Sequence, residues 1–331
     1  MTAAILALVI GVALFFNYTN GFHDAANAVA SAVSTRALTL RAALTLGAVM
    51  NLIGALLSTG VAATVAKGII EPPGGVEGLV IIFSAIVGAV VWNLTTWYFG
   101  LPSSSSHALL GGMVGAALAA AVSVEWTGVI TKVIIPMVVS PVIGLALGFA
   151  LMIAVMWIFR SARPRPVIRG FRRAQVFSAA GLALGHGLQD AQKSMGIIVL
   201  ALVVSGHQDG FAVPLWVTLA CAAAMAAGTY SGGLRIMRTL GRRIFGLTPS
   251  HGFVAETSGA LVLYGTAFVF AAPVSTTHVI TSAIMGAGAT RRVSAVRWGV
   301  AGNIIIGWFL TLPAAAIVAA LVYWAMSMFV S

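Results

Sequence analysis

Long apolar runs alternate with short charged breaks along the whole chain. The first runs from Ala3 to about Val33, ahead of Arg36 and Arg41, and the second covers Ala42 to Ala66. A loop with Lys67, Glu71, Pro72, Pro73 and Glu77 leads to Leu79–Val122, which is interrupted by Gly100-Leu101-Pro102-Ser103-Ser104-Ser105-Ser106-His107. Glu125 and Trp126 mark its exit, and Val129 to Phe159, with Pro136 and Pro141, is the next run. Beyond a basic stretch, Ala174–Ser205 and Phe211–Gly233 follow. Gly252–Ala289 is then interrupted by Ala272-Pro273-Val274-Ser275-Thr276-Thr277-His278, and Trp298–Val330, with Pro313, closes the chain. About 20 apolar residues cross a bilayer as a helix. The uninterrupted runs therefore predict membrane-spanning helices. The two interrupted runs predict helical hairpins with a polar tip.

Composition sharpens this picture. Hydrophobic residues make up 60% of the chain and charged residues 8%, against about 25% charged in soluble domains. The reading is an all-α polytopic membrane protein. Its formal charge of +11 is then a topology signal rather than a mark of nucleic-acid binding. A single cysteine, Cys221, excludes an intrachain disulfide. The first run continues directly into a polar patch, which argues against a cleaved signal peptide.

That patch is Asn20-Gly21-Phe22-His23-Asp24-Ala25-Ala26-Asn27-Ala28. A carboxylate at membrane depth costs at least about 2.5–3.5 kcal/mol on insertion scales, so Asp24 must face protein, water or a cation. Gly11 and Gly21 are expected to loosen the helix and break it near Asp24. The plainer reading is a polar cluster that locks helix packing.

The patch recurs as His186-Gly187-Leu188-Gln189-Asp190-Ala191-Gln192-Lys193. Gly21, His23, Asp24 and Asn27 match Gly187, Gln189, Asp190 and Lys193 at one offset of 166 residues. The tips repeat as well: Pro102, Ser104–Ser106 and His107 match Pro273, Ser275–Thr277 and His278 at an offset of 171. This divides the chain into a first repeat at 1–159 with a hairpin at 79–122, a basic linker at 160–173, and a second repeat at 174–331 with a hairpin at 252–289. If both hairpins are re-entrant, 15 of the 18 basic residues fall on one side, including those at 36, 41, 160–173, 235–243 and 291–297. Glu71, Glu77, Glu125 and Asp209 fall on the other. The positive-inside rule makes the basic side cytoplasmic and places both termini outside. The halves then have opposite orientation, the inverted repeat of many secondary transporters.

A Pro-Ser-Ser-Ser-Ser-His tip starts a helix, because Ser caps well and Pro suits a first turn. Its free N–H groups and positive dipole end suit an oxyanion. Two tips from opposite sides, Ser104, Ser105 and Ser106 with Ser275, Thr276 and Thr277, would clamp one tetrahedral anion. Asp24 and Asp190 would hold the driving cation or a metal. Asn27, Gln189, Gln192 and His23 belong to the same coupling set, and histidines add proton carriers. Lys193, three positions from Asp190, shares its helical face. It reads as a tethered cation that replaces a bound sodium and helps hold the anion.

The Asn20–Ala28 motif, its Gln-Asp-Ala-Gln-Lys copy and the Pro-Val-Ser-Thr-Thr-His hairpin resemble the inorganic phosphate transporter (PiT) family over essentially the whole chain. The resemblance implies an inverted-repeat symporter of phosphate and a cation, often a homodimer in the plasma (inner) membrane. It places Asp24, Asn27 and Asp190 in the substrate and cation site, with Ser104–Ser106 and Ser275–Thr277 on the hairpins. Gln189, Gln192 and Lys193 depart from the Asn-Asp-x-x-Asn pattern of sodium-coupled members. The chain is similar instead to the bacterial low-affinity branch, which implies H⁺ coupling, divalent metal–phosphate as a possible cargo and no resident cofactor. Two other readings remain open: a sulfate permease of the same fold, and an intramembrane hydrolase suggested by Ser106 beside His107.

Overall fold

The computed structural model of the protein describes residues 2–330; the side chains of residues 25, 26, 242 and 330 lie outside that description, so the Arg242 charge used in the topology count is not placed. The described residues are almost entirely helical. The first repeat consists of α1 (Thr2–Ser34), α2 (Leu40–Leu56), α3 (Gly60–Ala66), α4 (Val76–Phe99), α5 (Ser105–Ala119), α6 (Trp126–Val129) and α7 (Ile135–Ile158). The second consists of α8 (Pro164–Val204), α9 (Leu215–Ser231), α10 (Leu234–Arg238), α11 (Pro249–Phe268), α12 (Thr276–Ala289) and α13 (Trp298–Val330). Proline opens α8 at a position where the missing N–H costs nothing. Most of the basic linker is therefore the first turns of α8.

Broken helices are present, but not at Gly21. Helix α1 is continuous through the Asp24 motif. The breaks come one span later: α2 and α3 meet at 74°, and the corresponding pair in the second repeat, Leu215–Ser231 and Leu234–Gly241, meets at 58°. Gly21 serves a helix crossing instead. A Cβ there would sit 2.5 Å from the Met225 carbonyl oxygen of α9. Gly187 plays the same part in the second repeat, seated against the Asn51 backbone of α2. Small residues at crossings let helix backbones approach closely in a membrane, where apolar side chains gain nothing by leaving lipid.

Both interrupted runs fold back on themselves. Helix α4 is long enough to span by length alone. Yet its start and the end of α5 lie at one end of the molecule: Gly75 N–H donates to Val204 O, and Ile70 bridges to Val124. At the opposite end, Ser34 donates to Gly241 O, Thr35 to Gln175, and Arg297 N–H to Ile244 O. The α11–α12 hairpin therefore opens there. Its inner helix α12 packs on α7 of the first repeat, and α5 packs on α13 of the second. Gly144 and Gly148 seat against Val279 and Ala283, and Gly111 and Gly115 against Leu312 and Ala316. The repeats thus exchange hairpin partners. An apolar core surrounds each hairpin, and buried polar side chains fill the space between the two cores.

One arginine of the basic set is held by aromatic rings. The Arg235 guanidinium lies over the rings of Trp97 and Tyr98, at 5.2 and 4.8 Å, beside the first hairpin tip. It donates to Tyr98 O at 2.6 Å. A cation there meets the negative end of α4 and two ring faces.

Candidate substrate and cation site

The two hairpin tips meet the two Asp motifs at one buried centre. From Asp190 to Val204 is roughly 21 Å along α8, and from Asp24 to Thr35 roughly 16 Å along α1, at 1.5 Å per residue. The centre thus lies well inside the molecule from either end. Asp24, Asn27, Asp190, Lys193 and all six tip hydroxyl residues are buried.

Each tip is built alike. Ser104 and Ser275 are the N-caps of α5 and α12, and their hydroxyls accept from His107 N–H and His278 N–H at 3.2 Å each. That bond satisfies the third N–H of each helix. The first two, on Ser105 and Ser106 and on Thr276 and Thr277, have no intrahelical acceptor and mark the positive dipole end. Ser104 and Ser275 thus shape the tips, while Ser105, Thr276 and Thr277 donate to the carboxylates and Ser106 meets Lys193.

Asp24 is held by neutral donors from three elements. Ser105 Oγ donates to Oδ2 at 2.8 Å, and Thr277 Oγ1 and Asn27 Nδ2 donate to Oδ1 at 3.1 and 3.0 Å. Asn27 also reaches Thr277 Oγ1 at 2.7 Å, and His23 Nδ1 lies 2.9 Å from Oδ1. Asp190 has a different set. Lys193 donates to its Oδ1, Thr276 Oγ1 to its Oδ2 at 3.3 Å, and His186 Nε2 lies 3.2 Å from Oδ2. Lys193 also donates to Ser106 Oγ and to Val274 O, joining both tips. Fully buried lysines are rare unless paired; this one has a carboxylate, a hydroxyl and a carbonyl.

Of the histidines read as proton carriers, His186 is the one that reaches Asp190. Its Nδ1 lies 3.0 Å from Asn51 Oδ1, and the Asn51 amide is fixed by donating to Thr229 at 2.8 Å. Nδ1 is therefore the donor, which turns Nε2 toward the carboxylates. One ligand atom each from Asp24, His186 and Asp190 lies within 4.8 Å of the others. The trio fits a proton or a divalent cation. The signal was present in the sequence: His186 stands four residues before Asp190, on one helical face.

Two expected coupling residues lie elsewhere. Gln192 Oε1 accepts from Val61 N–H and Ala62 N–H at 2.7 and 3.2 Å, capping the broken helix α3. Gln189 Nε2 ties α8 to the second hairpin through Thr266 Oγ1 at 2.9 Å. His23, its counterpart, ties α1 to the first hairpin through Thr96 at 3.0 Å while also touching Asp24. A further carboxylate, Glu256, is buried below the centre. It accepts from Ser31, Ser178 and, at 3.0 Å, Gln175.

Ser106 and His107, adjacent in sequence, do not form a nucleophile–base pair. Ser106 Oγ faces Lys193 and Val274, while the His107 ring stacks on His278.

The phosphate transporter family pattern matches residues 20–319. A probable low-affinity inorganic phosphate transporter of Rhizobium meliloti (strain 1021) is 48% identical over 325 residues, covering 97% of this chain and 96% of the relative. One of the same description from Bacillus subtilis (strain 168) is 45% identical over 324 residues, covering 97% of both. Among solved structures, one described as the sodium-dependent phosphate transporter superposes with a TM-score of 0.88 at 25% identity, covering 98% of this chain and 99% of the other. These relatives are transporters rather than enzymes, and the long apolar helices make this a multi-pass membrane protein. With the match running from the first Asp motif into the last span, the chain belongs to the phosphate transporter family.

Proposed function

We propose that the protein imports inorganic phosphate by symport with protons, with Lys193 in the place of a bound sodium. The observation that carries this is Lys193 itself, a buried ammonium on Asp190 at the position where the first repeat has Asn27. An amide oxygen ligates Na⁺, whereas an ammonium repels it. Two carboxylates and one ammonium leave one net negative charge in a centre that must accept an anion. At 4 Å an uncompensated carboxylate repels a unit anion by about 4 kcal/mol at an effective dielectric near 20. One proton, on His186 Nε2 or on Asp24, removes that charge. The anion would lie against the free N–H groups and hydroxyls of both tips, Ser105 and Ser106 with Thr276 and Thr277, and displace the bonds of Ser105, Thr276 and Thr277 to the carboxylates. Ser104 and Ser275 would hold the tips in shape.

In this reading the basic end faces the cytoplasm, both termini face outward, and the protein is a homodimer in the plasma (inner) membrane. A cysteine placed in the 160–173 linker should then react only with label supplied from the cytoplasmic side.

The deciding experiment is uptake of labelled phosphate into proteoliposomes with imposed H⁺ or Na⁺ gradients and sulfate as competitor. A proton gradient should suffice without Na⁺, and sulfate should compete weakly. Uptake that requires Na⁺ at a constant pH gradient would sink the coupling, and equal competition by sulfate would sink the substrate. The Asp24–His186–Asp190 trio also favours a second reading, in which phosphate enters with a divalent metal as joint cargo. Chelation would then stop phosphate uptake, and metal would accumulate alongside it.

A further inference from the structure

The short helices that follow the two breaks each close on the hairpin of the other repeat. Thr64 of α3 donates to Ala271 O at 2.9 Å, and Thr239, in the turn that continues α10, donates to Gly100 O at 2.9 Å. Ala271 and Gly100 are equivalent positions. Each stands two residues before the proline of its tip, and each is in the left-handed region, at φ 45° and 67°. A threonine inside a helix often gives its hydroxyl to the carbonyl four residues back, as Thr45, Thr95, Thr229 and Thr311 do here. Thr64 and Thr239 reach across the repeat boundary instead, and Thr239 keeps only a 3.5 Å contact with Arg235 O. The other side of each short helix is fixed. Gln192 of α8 caps α3, and Gly196 of α8 seats against Ala62 O. Gly233, just before α10, seats against Phe22 O of α1, and Ser34 of α1 donates to Gly241 O.

Each short helix is thus clamped to the Asp-motif helix of the opposite repeat and hooked to that repeat's hairpin through a threonine. The two hooks lie on opposite sides of the buried centre. Helix α3 leads to the end that carries Glu71 and Glu125 and meets the second tip from there, while α10 leads into the basic end and meets the first tip. A tip can swing away from the Asp motifs only where its short helix releases it. We propose that α3 and α10 are two latches on the centre, with Thr64 and Thr239 as the positioning residues that set the side to which it opens. In the orientation proposed above, α3 shuts the outward route and α10 the inward one. Both latches are closed in this structure. Arg235 adds a second bond to the inner latch, to Tyr98 O at 2.6 Å, so the outer latch is the easier to release. The inference rests on the tips and Asp motifs being the transport site.

The test locks one latch and then loosens each in turn. A Cβ on Gly60 would lie 3.8 Å from the Ala271 Cβ, the separation a disulfide needs. In a Cys221→Ala background, Gly60→Cys with Ala271→Cys should cross-link on oxidation and stop phosphate uptake into proteoliposomes, and reductant should restore it. Uptake that continues in fully cross-linked protein, or a pair that does not cross-link, overturns the outer latch. Two single reporters in the same background, Leu101→Cys and Ala272→Cys, are then labelled with a membrane-impermeant thiol reagent. Adding Thr64→Val should speed labelling of Ala272→Cys from the outer face about threefold to tenfold, as for one lost hydrogen bond, and leave Leu101→Cys unchanged. Thr239→Val should speed labelling of Leu101→Cys from the basic face about twofold, the smaller effect because Arg235 still holds, and leave Ala272→Cys unchanged. Thr64→Ser and Thr239→Ser keep a hydroxyl and should label at the wild-type rate. Equal acceleration of both reporters by either valine is general loosening and overturns the proposal, as does no acceleration by either. Wild-type protein that carries no phosphate removes the transport reading, whereas the labelling rates need no cargo and still judge the latches.

Discussion

The two Asp motifs share a backbone plan but not their electrostatics. Asp24 is answered by an amide, two hydroxyls and an imidazole. Asp190 is answered by an ammonium, a hydroxyl and an imidazole. A duplicated scaffold thus carries one carboxylate that keeps its charge available and one whose charge is already neutralised. The difference teaches that fold symmetry need not extend to electrostatics. Under the proposed symport, an amide on one side and a lysine on the other would give the halves separate tasks.

The sharpest way to break that comparison is Lys193→Met. Removing one partner of a buried ion pair costs about 3–5 kcal/mol, so phosphate uptake should fall by a hundredfold or more. Lys193→Asn makes the second site resemble the first, and partial uptake with a new sodium dependence is expected in the same liposome assay. Normal transport by Lys193→Met would reduce the lysine to a packing element. Next in size are Ser105→Ala and Thr276→Ala, which remove corresponding hydroxyls from the two tips. Each loses a hydrogen bond to a charged group worth about 1.5–3 kcal/mol, so apparent phosphate affinity should drop about tenfold or more. Unchanged affinity in both would take the tips out of the site. The smallest effect belongs to Gln192→Ala. Loss of a helix cap costs about 0.5–2 kcal/mol, so melting should begin a few degrees lower while the coupling ion stays the same. A change of coupling ion would return Gln192 to the cation site.

Much of this centre was legible in the sequence because membrane depth tolerates few idle polar groups. Asp24, Asp190, Lys193 and the two tips stood out for that reason, and the tip–Asp juxtaposition follows from the repeats. The position of the helix breaks did not follow. A glycine that admits a crossing helix, like Gly21, looks the same in a sequence as one that loosens a turn. Gln189 and Gln192 misled for a related reason: both sit in the motif, yet their amides point to α11 and α3. The partners of Glu256 come from α1 and α8, and no local spacing joins Ser31 to Gln175 and Ser178. Arg235 was read by charge alone, and its contacts with the rings of Trp97 and Tyr98 carry no signal in the local sequence.

The exchange of hairpin partners bears on the order in which the molecule can be completed. Helix α5 emerges early from the ribosome, but the surface it packs on, α13, is the last to be made. The first tip therefore has its contacts with α1 early, but not its bed on α13 until the rest of the chain has been inserted. The second tip meets an α7 that has waited since the first half was synthesised. A chain truncated before Trp298 should lose the order of its oldest hairpin first, and the two halves expressed separately should each lack the bed for their own re-entrant helix. Assembly of the centre is thereby deferred to the end of synthesis, so that incomplete chains do not present a finished ion pathway to the bilayer.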